Sequence, residues 1–348
     1  MNIYTQEGWL DIPHIAQIAD RNNIAFIIII GKRQVGKTYG VLKFMLDSDK
    51  RFILIRGMKS ELEMLERNVN SPFEKIEGYQ DKILFQKDSD YTATIKRLDK
   101  KEDGTEFLTS IGMGSALSCI GRIRGFNGDI YTDLVYDEFI PESHLLKVRH
   151  GDDAFNNMYT TVAGNRELEG RPPLRVWLLA NTNKLDSDIL EALHITDIVE
   201  RMSLRDEESR MLKDRGIMIL LPDSQKIIEK RKTGALYRAI GGDSKFSRMA
   251  YGNEFSYDDY TDVATRPLQE YNPIIKLDEV IIHIHKNNKT LYATGLYKAK
   301  CRHEYDSSDY SKMKILRDFP ELKSAYMRGR FTFQSMTIKN SFLKYLDI

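Results

Sequence analysis

Cysteines, long apolar runs and excess charge are all scarce in this sequence. Two cysteines stand far apart in 348 residues, which excludes a disulfide framework and is typical of a reducing compartment. The longest apolar run, Ile24–Ile30, is far shorter than the ~20 residues that a membrane helix needs, so no membrane partner is expected. The N-terminal residues place no basic segment before an apolar one, so no signal peptide is expected. The formal net charge is only +1, so any basic surface that binds nucleic acid must be a local patch, offset by acidic residues elsewhere.

The pattern of apolar segments divides the chain into three regions. Over 1–200, short apolar strands alternate with helices, which is typical of a mostly parallel sheet covered on both faces. One of these helices is predicted over Ser60–Arg67, with Ser60 as its N-cap. Residues 201–272 are charged and predict a helical linker, and 273–348 return to strands and predict a small α/β domain. The strands predicted in the first region are Ile24–Ile30, Phe52–Ile55, Lys82–Gln86, Tyr91–Leu98, Phe107–Ile111, Asp133–Tyr136 and Arg175–Ala180.

A glycine-rich motif follows the first apolar strand directly. The residues GKRQVGKT match the full P-loop pattern, in the required place between a strand and a helix. The glycines let backbone N–H groups surround phosphates, Lys37 would reach the β- and γ-phosphates, and Thr38 would bind Mg²⁺ through its hydroxyl. The motif therefore predicts ATP and Mg²⁺ as cofactors. The predicted nucleotide-binding residues are Gly31, Lys32, Arg33, Gln34, Val35, Gly36, Lys37 and Thr38, joined by Asp137.

Two acids end a second apolar strand. Asp137 and Glu138 follow Leu134–Tyr136, and a P-loop hydrolase needs an acid at such a strand end to hold the Mg²⁺ water shell. Asp137 is predicted to serve the metal together with Thr38. Glu138, one residue on, is predicted to act as general base on the attacking water. Asp133 interrupts the apolar run, which predicts a short strand.

A third strand, Arg175–Ala180, ends in a polar residue. Asn181 follows it, and its amide would touch the γ-phosphate or the attacking water. The nearby residues 183–186 spell NKLD, a tetrapeptide that GTPases use for guanine. No Asp-x-x-Gly switch pattern follows the second acid, so an ATP hydrolase is favoured. A GTP-binding regulator is the weaker alternative.

Several segments resemble the ATPases that package viral DNA. Arg33 in the P-loop, and the segment from Leu117 to Gly125 ahead of the acid strand, are similar to large terminases. The packaging ATPases of small protein-primed phages, the phi-29 type, are more similar. The shared segments, in order, are FILIRGMKSEL, LVYDEFI, AGNRE, GNEFSYDD and LKSAYMRGRFTFQSMTIKNSFLKYL. The last is the most specific, because ATP chemistry does not explain it.

The resemblance implies an α/β fold with three parts. These are a terminase-like P-loop ATPase domain over 1–200, the helical linker over 201–272 and an RNase H-like domain over 273–348. It also implies an ATP-driven motor that moves double-stranded DNA into a prohead. The motor would be a homo-oligomeric ring on the portal, expected to be a pentamer, with a packaging RNA in the best-known members. Such a protein is expected in the cytoplasm of the infected bacterial host and transiently on the prohead, but not in the mature virion.

Four basic residues receive roles from the same resemblance. An arginine that acts in trans on a neighbour's nucleotide is expected, and Gly164 stands where that arginine would align. Arg124 and Arg166 are therefore the two candidates for this catalytic role. Arg56 and Lys59 resemble a pore-facing basic loop, which would hold DNA phosphates without reading bases. For all four, an ordinary surface position is the alternative.

The C-terminal region bears on the rival functions. In full terminases the first strand of the nuclease carries a metal-binding Asp, whereas Val280–His285 contains no acid. A nuclease-derived shape that lacks the nuclease acids is therefore expected. The alternatives are a large terminase with an active nuclease and a P-loop ATPase or helicase that does not package DNA.

Overall fold

The computed structural model divides the chain into two compact units. These are Met1–Leu193 with Arg201–Ser256, and His194–Glu200 with Tyr257–Ile348. The residues that the structure describes are 2–32, 35–66, 71–122, 128–141, 148, 150–181, 185, 187–235, 239, 261–295 and 300–346, apart from the side chains of 66, 120–122, 231 and 232. No helix in these ranges is long and apolar enough to cross a membrane.

The first unit is built on a large sheet. Its strands are β1 (Phe26–Gly31), β2 (Phe52–Arg56), β3 (Ile83–Lys87), β4 (Thr92–Lys100), β5 (Glu106–Ala116), β6 (Asp133–Asp137), β7 (Arg175–Asn181), β8 (Ser209–Leu212) and β9 (Ile217–Leu220). Within the described residues their order is β3-β4-β5-β2-β6-β7-β1-β9-β8. The run from β5 to β9 is parallel, and antiparallel strands extend it at both edges. The carboxyl ends of the parallel strands therefore all lie at the same end of the sheet.

Helices cover this sheet. They are α1 (Ile12–Arg21), α2 (Lys37–Asp47), α3 (Lys59–Glu66), α4 (Gly151–Ala163), α5 (Asp188–Ala192) and α7 (Gln225–Lys232). A further helix, α6 (Thr196–Leu204), contributes residues to each unit. α1 begins where Asp11 accepts a hydrogen bond from the His14 backbone N–H, with Pro13 in the first turn. Its buried face packs with β1, whose isoleucines 27–30 are inaccessible to solvent. Burial on both faces explains why β1 is a continuous apolar run.

A buried carboxylate begins β6. Asp133 is inaccessible to solvent, yet it accepts hydrogen bonds from Trp177 Nε1 at 3.0 Å and from the Thr132 hydroxyl at 2.7 Å. Lys50 Nζ lies 3.3 Å from the same carboxylate. A buried charge is tolerated only when it is paired and hydrogen-bonded, and Asp133 meets both conditions. It thereby ties β6, β7 and the segment before β2 together.

The second unit contains a smaller sheet with helices. Its strands are β10 (Tyr271–Leu277), β11 (Val280–His285), β12 (Leu291–Gly295), β13 (His303–Tyr305) and β14 (Phe331–Phe333), and its helices are α8 (Asp309–Asp318), α9 (Glu321–Met327) and α10 (Met336–Leu346). Within the described part the strand order is β13-β10-β11-β12-β14. Phe331 and Phe333 pack against Phe342 of α10 with ring centroids 4.5 and 5.5 Å apart. These rings join the helical layer to the sheet.

The predicted α/β class, with a parallel sheet and a smaller second α/β unit, is confirmed. Two details are wrong. Residues 209–220 form β8 and β9 in the first sheet and not a helical linker, because β9 finds a partner strand in β1. Ser60 lies inside α3, which begins at Lys59, so Ser60 is not its N-cap. α1 was not predicted at all.

Replacement of Asp133 tests the packing of β6. Asp133→Ala should lower the free energy of unfolding by about 1–3 kcal/mol, because it leaves a buried Trp177 donor without its acceptor. Urea unfolding of the whole chain measures this change. The control is Glu106→Ala. The Glu106 carboxylate forms an exposed ion pair with Lys100, so its loss should lower the free energy of unfolding by less than about 0.5 kcal/mol. Equal losses in the two variants would contradict the role given to Asp133.

Candidate nucleotide-binding site

Three adjacent strand ends form the floor of the predicted nucleotide site. β1 pairs with β7 so that Gly31 lies opposite Asn181, and β6 pairs with β7 so that Asp137 lies opposite Leu179. A cavity of about 330 Å³ lies over these ends. It is lined by Gly36, Lys37, Thr38, Tyr39, Asp137, Glu138, Ala180 and Asn181. The P-loop, the two acids and Asn181, which the sequence predicted as one site, therefore come together.

The N-terminus of α2 is open to an anion. Its N-cap is Gly36, whose φ of 89° lies in the left-handed region that glycine adopts without strain. Within the described part of the chain no side chain caps the helix, and its first turn contains no acidic residue. The N–H groups and the positive end of the helix dipole at such a terminus attract phosphate.

Lys37 is fixed at the edge of the sheet. Its Nζ donates hydrogen bonds to the Gly31 carbonyl at 2.8 Å, to the Lys32 carbonyl at 2.7 Å and to Asn181 Oδ1 at 3.1 Å. These three acceptors are uncharged, so they position the ammonium without neutralising it. Asn181 thus contributes to the site through Lys37.

Thr38 and Asp137 fit a magnesium ion. The Thr38 hydroxyl donates a hydrogen bond of 2.8 Å to Asp137 Oδ1. A hydroxyl and a carboxylate side by side are the hard oxygen donors that Mg²⁺ prefers, and it usually keeps water and substrate phosphate as further ligands. The described side chains contain no group of three or more His, Cys, Asp or Glu that would hold a metal without such help.

Glu138 has an unusual backbone. Its φ is 59°, in the left-handed region that costs a non-glycine residue about 1 kcal/mol or more. In an extended strand, Asp137 and Glu138 would point to opposite faces of the sheet. The left-handed turn at Glu138 lets both carboxylates line the same cavity. The left-handed conformation of Glu138 is therefore what places the two carboxylates at one site.

Arg56 joins this site, which the sequence did not predict. Its guanidinium lies 3.0 Å from Asp137 Oδ2 and 3.4 Å from Glu138 Oε2, because β2 is the neighbour of β6. The Arg56 side chain is only 13% exposed and is paired with these two acids, and the pore-facing position expected for it stays a prediction. Lys59 is more exposed and pairs with Glu63 and Asp90. Its contact with DNA stays a prediction.

The side chain of Lys32 leaves the phosphate loop. It is buried in an ion pair with Asp223, whose backbone N–H donates to the Tyr4 hydroxyl at 2.6 Å. The Tyr4 hydroxyl donates in turn to Glu208 at 3.2 Å, and burial raises the pKa of the Glu208 carboxyl. Lys32 can therefore serve a nucleotide only through its backbone. Pro222 packs on Gly31, and with Asp223 it braces the start of the loop.

Arg166 lies at the amino ends of the strands, opposite the end of the sheet that carries the nucleotide site. Its Nη2 donates to the Tyr131 carbonyl at 2.7 Å and its Nε to the Ala163 carbonyl at 3.3 Å. Burial, and then the charge of Arg171, lower the pKa of Arg166. Arg166 lines a cavity of about 350 Å³ beside Arg175, at the amino ends of the strands. It is thus remote from the phosphate loop of its own chain, and a role on a nucleotide would require a neighbouring chain.

Some predicted residues lie outside the described part of the chain. These are Arg33, Gln34, Arg124 and residues 183, 184 and 186 of the NKLD segment. The sequence did not reveal three residues that support the P-loop through Lys32. These residues are far from the P-loop in sequence and belong to no local motif: Tyr4, Glu208 and Asp223.

Two solved structures have the same fold as this chain. No family model and no curated protein matches the sequence. The Phi-28 gp11 DNA packaging motor is 16% identical, with a TM-score of 0.60 over 99% of both chains. The bacteriophage Phi-29 viral genome packaging motor assembly is 17% identical, with a TM-score of 0.63 over 99% of this chain and 100% of that chain. The chain therefore has, over both of its units, the fold of these packaging-motor proteins.

Proposed function

We propose that this chain is the ATP-hydrolysing subunit of a motor that moves double-stranded viral DNA into a prohead. The observation that carries the proposal is the likeness to two packaging-motor structures over 99% of the chain. A likeness limited to the nucleotide site would support only a P-loop hydrolase. The likeness extends instead through the second unit, which the chemistry of ATP does not require.

The residues of the site have distinct roles in this proposal. The N-terminus of α2 and the Lys37 ammonium bind the phosphates, and Thr38 and Asp137 hold Mg²⁺, which supplies positive charge to the phosphate oxygens when bound. Glu138 accepts a proton from the attacking water. Arg56 positions the Glu138 carboxylate through their ion pair. Asn181 orients Lys37 and lies where it could also meet the γ-phosphate.

The proposal includes a homo-oligomeric ring, with a pentamer as the expected size. Phosphoryl transfer builds charge on the γ-phosphate, and an arginine that stabilises this charge from a neighbour is worth roughly 10³-fold or more in rate. Arg124 and Arg166 are the proposed donors. The position of Arg166 at the end of the sheet opposite the P-loop supports a role in trans over a role in cis.

The remaining partners follow from the same proposal. The ring binds double-stranded DNA through phosphates, docks on the portal of the prohead and uses a packaging RNA where one is present. It acts in the cytoplasm of the infected bacterial host and leaves before the virion matures. Lys59, on the exposed first turn of α3, is the proposed DNA contact in the described part of the chain.

Two substitutions separate nucleotide binding from hydrolysis. Lys37→Ala should weaken ATP binding, because it removes the ammonium that meets the phosphates. Glu138→Gln keeps the shape of the side chain but loses the base, so ATP should bind normally while turnover falls by about 10²–10⁴-fold. Binding of a fluorescent ATP analogue and release of phosphate are measured separately. Lys43→Ala, on the exposed side of the same helix, is the matched control and should change neither. Undiminished turnover in Glu138→Gln would remove Glu138 from the role of base.

DNA binding should depend on phosphates and not on sequence. Lys59→Ala should weaken binding to unrelated duplexes about equally and reduce the slope of log affinity against log salt by about 1. Lys100→Ala, an exposed lysine on β4 that pairs with Glu106, is the control. Arg56→Ala should instead lower turnover first, because Arg56 pairs with the two acids. Filter binding with competing duplexes over a salt series tests the prediction for Lys59. A marked sequence preference would count against binding through phosphates.

Rapid hydrolysis should require a neighbour. Specific activity of the wild-type chain should rise with protein concentration, since each site lacks its arginine until a second chain docks. Arg124→Ala or Arg166→Ala, each inactive alone, should regain turnover when mixed with Glu138→Gln, because each chain then supplies what the other lacks. Arg317→Ala, an exposed arginine of α8, should stay active alone. Flat specific activity together with failed rescue in both mixtures would exclude both arginines.

A further inference from the structure

A large aromatic side chain stands exposed beside the phosphate loop. The sequence contains two tryptophans. Trp177 is inaccessible to solvent in the core, whereas Trp9 is 44% exposed. A Cβ atom added at Gly36 would lie 3.5 Å from Trp9 Cε3, so the indole ring lies beside the N-cap of α2. The exposed tryptophan is therefore next to the glycine that begins the phosphate-binding helix.

The turn that carries Trp9 is rigidly built. The Thr5 backbone N–H donates to the Trp9 carbonyl at 2.8 Å, and the Trp9 N–H donates back to the Thr5 hydroxyl at 3.3 Å. Tyr4 and Leu10 close the base of the turn as a β-bridge. Gly8, at a φ of 94°, is in close contact with Ser224, whose hydroxyl donates to the Gly8 carbonyl at 2.6 Å. The position of Trp9 is thus determined by contacts on both sides of the turn.

The same turn is anchored to the P-loop itself. The Leu10 N–H reaches the Val35 carbonyl at 3.5 Å, and Val35 is buried one residue before Gly36. Lys226 Nζ donates to the Gln6 carbonyl at 2.9 Å from the other side. Tyr39, in the first turn of α2, lines the phosphate cavity and is 40% exposed. Large aromatic surface is therefore presented to solvent by residues adjoining the phosphate loop.

We propose that Trp9 is the stacking surface for the purine base of the bound nucleotide. An exposed indole costs free energy in water unless a ligand covers it, and a base offers a flat π-face of matching size. A nucleotide held by its phosphates at the N-terminus of α2 carries its base within reach of the side chains beside that terminus. Because stacking does not depend on the edge of the base, Trp9 would bind adenine and guanine alike. This inference rests on the nucleotide site of the proposed function.

The intrinsic fluorescence of the full-length chain provides the test. ATP and GTP should each quench the emission of wild-type protein saturably, because the base covers Trp9. Inorganic tripolyphosphate should raise the thermal midpoint of the chain, as a P-loop ligand does, without this quenching. Trp9→Phe keeps a stacking ring, so it should bind ATP within a few-fold of wild type but lose the nucleotide-dependent signal, since only the buried Trp177 is left to emit.

Truncation of the ring measures its contribution to affinity. Trp9→Ala should raise the Kd for ATP by roughly 5–150-fold and leave the Kd for tripolyphosphate unchanged, since a stacked base is worth about 1–3 kcal/mol. Tyr310→Ala removes another exposed aromatic ring, on α8, and should leave both constants unchanged. Normal ATP binding by Trp9→Ala would overturn the stacking role and leave the proposed function intact. Failure of wild type to bind either ATP or tripolyphosphate would overturn both.

Discussion

The register between β1 and β7 is the constraint on which the site depends. It sets Gly31 opposite Asn181, and Lys37 then finds an acceptor on each strand end. A shift of one residue would move the Asn181 side chain by about 3.3 Å and turn it to the other face of the sheet. The register is secure because β1 and β7 are both buried, so a slip would expose isoleucines or bury charge.

Buried ion pairs support the site from different sides. Lys32 with Asp223 braces the loop after β9, and Lys50 with Asp133 braces the amino ends of the strands. Arg56 brings a cation to the acids at the end of β6. A pair of this kind adds little net stability, but the loss of one partner leaves a buried charge that is costly. The nucleotide site is therefore held in one arrangement more by the penalty of breaking these pairs than by their attraction.

Local patterns were sufficient for part of this structure. The P-loop, β1 and the acids at the end of β6 each depend on residues that are close in sequence, so their type and place were predictable. Strand order is not local, and for this reason the pairing of Arg56 with these acids was not predicted, although β2 lies beside β6. Asp223 is 191 positions from Lys32, and no motif links them. β8 and β9 span four residues each among charged neighbours, too short for the alternation of a strand to stand out.

The place of β9 has a consequence for how this chain is made. β1 is synthesised early, yet one of its two neighbours in the sheet is β7 and the other is β9, which ends at Leu220. A growing chain that has passed Asn181 can form the phosphate loop, but one edge of β1 is still unpaired and apolar. β1 is therefore paired on both sides only after some forty further residues have left the ribosome, at roughly 5–20 residues per second. During those seconds the open edge of β1 is the surface most exposed to aggregation or to a chaperone.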